Sequence, residues 1–303
     1  MSPLRRTPGP VRVVTDSTAS LPDVPDPVRD LVEVVPLTVV VDGVAAREGE
    51  DITPDEIAGA LGSGARVTTS QPPRAAFEAA YERAAAEGAS AVVSVHLSGE
   101  LSGTVHQAAA AAATAGLPVR VVDSRSAAMV LGFAVREAAR AATDGAPGEV
   151  VARRAVQVAN AGRAVFLVDS LDQLRRGGRL SAPAAAIGTV FGVRPLLTLR
   201  DGRIELVQRV RTRTAAVERM LEVAVASVER RTDPALAVHY VGAHEPAFEL
   251  ARELEERTGH GVLVSPVSAV LGAHTGPGTL AVVVTDLAET APRRRSPAPR
   301  GRR

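Results

Sequence analysis

Residues 91–104 read Ala-Val-Val-Ser-Val-His-Leu-Ser-Gly-Glu-Leu-Ser-Gly-Thr, and their reading decides the fold class. Ala91 to Val95 is a short apolar run, which predicts a buried strand. It passes into a serine- and glycine-rich turn, and Ser102-Gly103-Thr104 opens an alanine-rich helix. A strand that feeds a helix through a turn is the unit from which parallel sheets are built. The same pattern recurs on both sides. Val11 to Thr15 predicts a strand that ends in the turn-forming Asp16-Ser17-Thr18. Val32 to Val41 reads as one or two strands. Thr53-Pro54-Asp55-Glu56 supplies an N-cap, a proline at the first helical position and early acids, so a helix begins there. Pro73 to Ala86 predicts a second helix, Val119 to Asp123 a further strand, and residues 126–142 another helix. This alternation predicts an α/β fold with a parallel sheet covered on both faces.

Thr143-Asp144-Gly145-Ala146-Pro147-Gly148 concentrates turn formers, and we place a boundary there. Residues 1–146 then form an N-terminal α/β domain and residues 147–287 a second one. The second half predicts a helix over 149–161, a strand over 164–168 and a long helix after Thr214, with strands over 236–241 and 280–285. Leu199-Arg200-Asp201-Gly202-Arg203-Ile204 predicts a hairpin closed by a tight Asp-Gly turn. Residues 288–303 form a Pro/Arg tail that cannot bury apolar surface, and we expect it to be disordered.

Composition narrows the function classes. The 303 residues are 46% hydrophobic and 23% charged, as in a soluble globular protein. No apolar run is long enough for a membrane span. Met1 to Arg6 leads into a strand-like segment without the apolar stretch of a signal peptide, so the expected location is cytoplasmic. With no cysteine, disulfides, thiolate nucleophiles and Cys-ligated metals are excluded. All 35 basic residues are arginine, which excludes a Schiff-base lysine and a P-loop lysine; a GC-rich genome accounts for the bias. The net charge of +1 conceals six arginines in the tail, so the rest of the chain is net negative. The tail either grazes anionic lipid or nucleic acid or is simply solvated. Aromatic residues make up only 2% of the chain, too few for the stacking platforms of a specific nucleic-acid binder.

Several segments carry binding chemistry. The turn around Ser98, Ser102, Gly103 and Thr104 delivers hydroxyls to a helix N-terminus, where free N–H groups and the dipole favour phosphate or carboxylate. The competing reading is that Ser102 or Thr104 only caps the helix. Thr69-Ser70-Gln71-Pro72 precedes the next helix and admits the same two readings. In His274-Thr275-Gly276-Pro277-Gly278 a turn fixes the backbone beside a histidine, which is either a site-edge donor or a surface residue. Arg175, Arg176 and Arg179 surround Gly177-Gly178; with Arg194, Arg211 and Arg213 they form a basic surface for an acidic partner or phosphate, or scattered solvated cations. A triad of Ser102, His274 and Asp123 can be drawn, yet no G-x-S-x-G elbow, H-E-x-x-H or G-x-G-x-x-G accompanies it. No catalytic residue and no metal ligand is therefore assigned.

Seven motifs in order resemble those of the DegV family of bacterial fatty-acid-binding proteins. They are Val13-Val14-Thr15-Asp16-Ser17, Thr69-Ser70-Gln71-Pro72, Leu101-Ser102-Gly103-Thr104, Val121-Val122-Asp123-Ser124, Leu174 to Ser181, Val193-Arg194-Pro195 and His274 to Gly278, spread over residues 10–286. The resemblance implies a two-domain DegV-type fold, with an N-terminal parallel-sheet, Rossmann-like domain and a C-terminal α/β domain with hairpin content. It implies one long-chain fatty acid bound between the domains, no other cofactor, and presentation of that acid to a separate fatty acid kinase, in lipid metabolism or transport. By the same resemblance Thr69 and Ser102 bond the carboxylate, His274 and Arg211 lie beside it, Ser98 and Gly103 lie nearby, and Arg175, Arg176 and Arg179 face the partner. The family commonly has lysines where Arg175, Arg176 and Arg194 stand, and a serine where this chain has Gly99. The alternative is a serine hydrolase or acyltransferase using Ser102 and His274.

Overall fold

The structure is a computed structural model that describes residues 9–22, 28, 31–180 and 194–289. Ser181 and Val193 of the family motifs, and the Pro/Arg tail from residue 290, lie outside the described residues. In chain order the described elements are β1 (Val11–Asp16), β2 (Val32–Val35), β3 (Thr38–Val41), β4 (Val44–Arg47), α1 (Pro54–Gly62), β5 (Val67–Ser70), α2 (Arg74–Ala86), β6 (Ala91–His96), α3 (Thr104–Ala112), β7 (Val119–Asp123), α4 (Ala128–Thr143), α5 (Gly148–Ala161), β8 (Arg163–Leu167), α6 (Asp172–Arg176), β9 (Arg194–Arg200), β10 (Arg203–Val210), α7 (Arg213–Val228), β11 (Pro234–Tyr240), α8 (Glu245–Thr258), β12 (Val262–Pro266), α9 (Ala269–Thr275) and β13 (Leu280–Asp286). A 3₁₀ turn, Ser17–Ala19, follows β1.

The expected parallel sheet is present, in the order β2-β1-β6-β7. Its strands alternate two apolar faces, as the period of a strand requires. Val14 and Val92 meet Phe77, Ala80, Tyr81 and Ala84 of α2 and Ala108 and Ala111 of α3. Val13, Val93 and Val95 meet Leu131, Val135, Ala138 and Ala142 of α4 and Val151 and Ala155 of α5.

The second sheet is mixed, in the order β10-β9-β8-β13-β11-β12; only β11 and β12 pair in parallel within it. Helices α7 and α8 cover one face through Met220, Leu221, Leu250 and Leu254. The other face receives Met129, Val130 and Phe133 of α4 and Val158 of α5, packed on Ala237 and Val283. The α4–α5 pair is thus a layer shared by both sheets. The turn at 143–148 joins these two packed helices, and α5 adds residues to the core of the first sheet.

Local chemistry accounts for several boundaries. Thr53 and Glu56 form a reciprocal capping box at α1, with Pro54 at its first position. Asp201 (φ +50°) and Gly202 (φ +82°) close the β9–β10 hairpin with both central residues left-handed, as the expected Asp-Gly turn demands.

Val32 to Val41, read as one or two strands, forms two, β2 and β3, which belong to different sheets. The second of these is a small antiparallel sheet, β4-β3-β5, that the strand pattern did not reveal. Thr69 and Ser70 lie in β5 and do not cap α2, which starts after Pro73 with no side-chain cap. His274 lies in the last turn of α9, not in a loop, and β12 and α8 went unread.

A buried ion pair ties the shared layer together. Arg154 of α5 bonds Glu137 of α4 and also donates to the carbonyls of Leu287 and Ala288 beyond β13. Glu137→Ala leaves the guanidinium buried without its counter-charge, so it is expected to lower unfolding free energy by about 3–5 kcal/mol in a urea titration.

Candidate functional site

A cavity of about 300 Å³ opens where the small sheet, the turn after β6, α6, the β9–β10 hairpin and α9 converge. Its walls are mainly aliphatic: Leu37, Leu97, Leu101, Leu174, Ile204, Val270 and Leu271. Its polar edge carries Thr69, Ser102, Gly103, Arg179 and His274, with Ser70, Gln71 and Thr275 beside them. Residues far apart in the sequence therefore share one rim, because each stands at the end of an element that packs at the seam between the sheets.

Thr69 turns inward because β5 alternates half-buried Val67 and Thr69 with exposed Thr68 and Ser70. Ser102 is held by a turn in which the Ser98 carbonyl accepts from the amides of Leu101 and Ser102. Behind it, the fully buried Thr104 places its hydroxyl 2.9 Å from Ser102 Oγ. Gly103 precedes α3 without a side-chain cap, and an added Cβ there would meet the Gln71 side chain at 2.0 Å. A side chain at 103 would displace the end of the exposed Gln71 side chain.

His274 reaches the rim because α9 is anchored at its other end. Ser268 caps the helix by accepting from Leu271 N, Ser20 Oγ accepts from Ser268 N, and the buried Glu48 accepts from Val270 N. His274 Nε2 then lies 2.8 Å from Thr69 Oγ1, joining residues 205 apart in the chain. Gly177 packs on the other ring nitrogen, where a Cβ would come within 2.4 Å of Nδ1. Burial, assisted by the nearby Arg179 guanidinium, pushes the His274 pKa down to about 4. At neutral pH the ring is uncharged. With Nε2–H donating to Thr69 Oγ1, the threonine hydroxyl is free to donate into the cavity; Thr104 can do the same service for Ser102. Two hydroxyl donors, the N-terminal end of α3 and the Arg179 cation suit an anionic oxygen group at the mouth of an apolar channel.

The other expected residues are placed as follows. Ser98 is fully buried and donates to the Gly202 carbonyl at 2.8 Å, latching the hairpin to the turn below the cavity. Arg211 is exposed in the bend after β10 and is not among the residues lining either depression, while Arg213 bonds Asp169 and the Gly278 carbonyl. Arg179, expected on a partner surface, is instead part of the rim and donates to the carbonyls of Leu101 and Gly177. Arg176 is exposed and lines a second, more polar depression of about 510 Å³ that shares Thr69, Arg179 and His274 with the first. Arg175 is not among the residues lining either. Leu101 and Leu174 stand within the quoted motifs, but the aliphatic role of the wall residues went unread.

The drawn triad is not assembled. Ser102 pairs with Thr104, His274 with Thr69, and Asp123 accepts from the amides of Gly99 and Arg125. A Ser-His-Asp relay does occur elsewhere: Ser94 Oγ lies 2.7 Å from His96 Nε2, and His96 Nδ1 lies 3.0 Å from Asp16 Oδ2. All three have no exposed surface, so no substrate reaches Ser94 without unpacking α2. Among the described residues no cluster of three or more His, Cys, Asp or Glu is arranged for a metal ion, and no helix is long and apolar enough to cross a membrane.

Residues 10–286 match the family model described as "Uncharacterised protein, DegV family", and the chain belongs to the DegV family. It is 45% identical over 277 residues to a DegV domain-containing protein of Streptomyces coelicolor, covering 91% of this chain and 98% of that one. Among solved structures it resembles a Thermus thermophilus DegV family protein, described for its fatty acid binding, at 35% identity and TM-score 0.83, covering 91% of this chain and 99% of the other. It also resembles DegV, a fatty acid binding protein from Bacillus subtilis, at 31% identity and TM-score 0.83 with the same coverage. The mixed α/β architecture, with its four-stranded parallel sheet and separate antiparallel-rich sheet, is the DegV fold.

The His274 shift has a measurable consequence. Its folded value of about 4 lies below the ordinary 6.5, so the unfolded chain takes up a proton that the folded chain refuses. The stability from this group is full above pH 6.5 and is lost progressively as pH falls through about 4. His239, pushed down to about 4 by burial, acts with the same sign. His274→Gln is expected to flatten the dependence of Tm on pH between those values; a slope identical to that of the parent would show that the folded ring is protonated.

Proposed function

We propose that this protein binds one long-chain fatty acid in the aliphatic cavity, with its carboxylate between Thr69 and Ser102 and His274 and Arg179 behind them. The observation that carries the reading is the convergence of these hydroxyls on one cavity whose lining is otherwise mainly leucine, isoleucine and valine. The volume, about 300 Å³, is at the small end of the range of ligand pockets. Burying a dozen methylenes contributes roughly 10 kcal/mol before ordering costs. A buried carboxylate without partners would cost several kcal/mol, and hydroxyl donors beside a cation offset that cost. The fatty acid binding described for the Thermus thermophilus and Bacillus subtilis proteins supports the same ligand.

In this reading the protein is a carrier without chemistry or cofactor of its own. The unlinked Ser102 and His274 support that choice over a serine hydrolase. The ligand lies between the unit of residues 1–146 and that of 147–287, and is presented to a fatty acid kinase in the cytoplasm. The exposed Arg176 beside the polar depression suits an acidic partner surface, with Arg175 next to it in the chain. The kinase and the cytoplasmic setting are carried by the family resemblance alone.

Native mass spectrometry of the purified protein, followed by identification of the released ligand, is expected to find one fatty acid per chain. A protein that is apo as purified and stays apo with added fatty acids overturns the proposal. The double variant Thr69→Val, Ser102→Ala is expected to weaken palmitate binding by about tenfold or more while the far-ultraviolet spectrum and Tm stay close to the parent's. Unchanged affinity in a folded variant removes both residues from the site.

A further inference from the structure

The Asp16 carboxylate, the buried end of the Ser94-His96 relay, lies outside the cavity and has no exposed surface. Burying it is costly unless every acceptor position is filled. They are filled by two different loops. Oδ1 accepts from the amide and the hydroxyl of Thr18, capping the 3₁₀ turn after β1. Oδ2 accepts from Leu97 N at 3.0 Å and faces His96 Nδ1 at 3.0 Å, at the end of β6.

Each loop continues to one half of the head-group site. From Leu97, itself on the cavity wall, the chain enters the turn whose Ser98 carbonyl holds the amide of Ser102. From the 3₁₀ turn, Ser17 Oγ accepts from Leu37 N, and Ser20 Oγ accepts from Ser268 N. Ser268 caps α9, and the last turn of α9 brings His274 to Thr69. One carboxylate therefore stands at the root of both arms. The outer pole of the network, Ser94 and Tyr81, carries it to α2 through the 2.9 Å bond of the Tyr81 hydroxyl.

We infer that Asp16 is a positioning residue for ligand recognition: it sets the spacing between Ser102 on one arm and the Thr69–His274 pair on the other, and so selects a ligand that ends in a carboxylate. The inference rests on the fatty-acid reading of the cavity. Asparagine at this position is nearly isosteric but has one acceptor oxygen where the carboxylate has two. It can serve one loop, and it sets an N–H against the donor of the other.

The experiment compares palmitate with methyl palmitate, which keeps the chain and removes the anionic head. The parent protein is expected to prefer palmitate. Asp16→Asn is expected to lower palmitate affinity by about tenfold while methyl palmitate changes by less than about twofold, since the lost charge-assisted contacts involve only the head. A purely structural role would weaken both probes alike, and that result overturns the inference, as does an unchanged ratio. Ser20→Ala, which cuts only the α9 arm and leaves Asp16 in place, is the second variant should Asp16→Asn not fold. It is expected to reduce the palmitate preference by a smaller factor, and an undiminished preference there also overturns the inference. A parent protein that binds both probes equally, or neither, refutes the head-group reading itself and the inference with it, which separates the two failures.

Discussion

Helices α4 and α5 have to satisfy two sheets at once. Leu131 and Val135 of α4 and Val151 and Ala155 of α5 face the parallel sheet, whereas Met129, Phe133 and Val158 face the mixed one. Both helices are therefore apolar on opposite sides, which an ordinary surface helix is not. Close packing leaves this layer little freedom to slide, because voids cost as much as lost contacts. The turn after β6 meets the β9–β10 hairpin, where Ser98 donates to the Gly202 carbonyl. The buried Glu137–Arg154 pair, extended to the Leu287 and Ala288 carbonyls, holds the same layer in register with the end of β13.

With the sheets so placed, the seam is closed by apolar contacts, Leu37, Val39 and Ile57 on Ala269, Val270 and Ala273 of α9, and by polar ones. Ser98 meets the Gly202 carbonyl, Arg203 pairs with Glu100, Arg125 donates to the Asp201 carbonyl, and Glu48 and Ser20 hold the start of α9. The cavity lies inside this polar frame, and its charge balance follows from burial. Desolvation strips His274 of its proton, so the formal cation on the rim is Arg179, and the groups that can meet a ligand oxygen directly are neutral hydroxyls.

Much of this was legible residue by residue. The Thr53 N-cap with Pro54 behind it, the Asp201-Gly202 turn and the β6-to-α3 unit depend on neighbours in sequence, and all three stand as read. Thr69, Ser102 and His274 were also legible as chemistry, since a hydroxyl or imidazole beside a turn former is a local pattern. Their surroundings were not. Thr69 beside Pro72 has the pattern of a helix cap, but it is drawn into β5 by pairing with β3, and that pairing is a tertiary contact. Arg211 and Arg213 are indistinguishable in composition; which one turns inward depends on where α7 begins and where Asp169 lies.

The sequence by itself determined the α/β class, the family, the carriers of the polar chemistry and the absence of cysteine and lysine chemistry, because these rest on residue identity and short-range periodicity. Only the tertiary structure decided that Thr69 and His274 touch across 205 residues, that Arg179 and not Arg211 shares their rim, and that leucines from four separate segments enclose one cavity. It also decided that the Ser94-His96-Asp16 relay is buried, whereas Ser102 and His274, the pair that reads as catalytic, are not joined. The physical reason is that hydrogen bonds and apolar contacts between distant segments are chosen by how helices and sheets pack, and packing is a property of the whole chain.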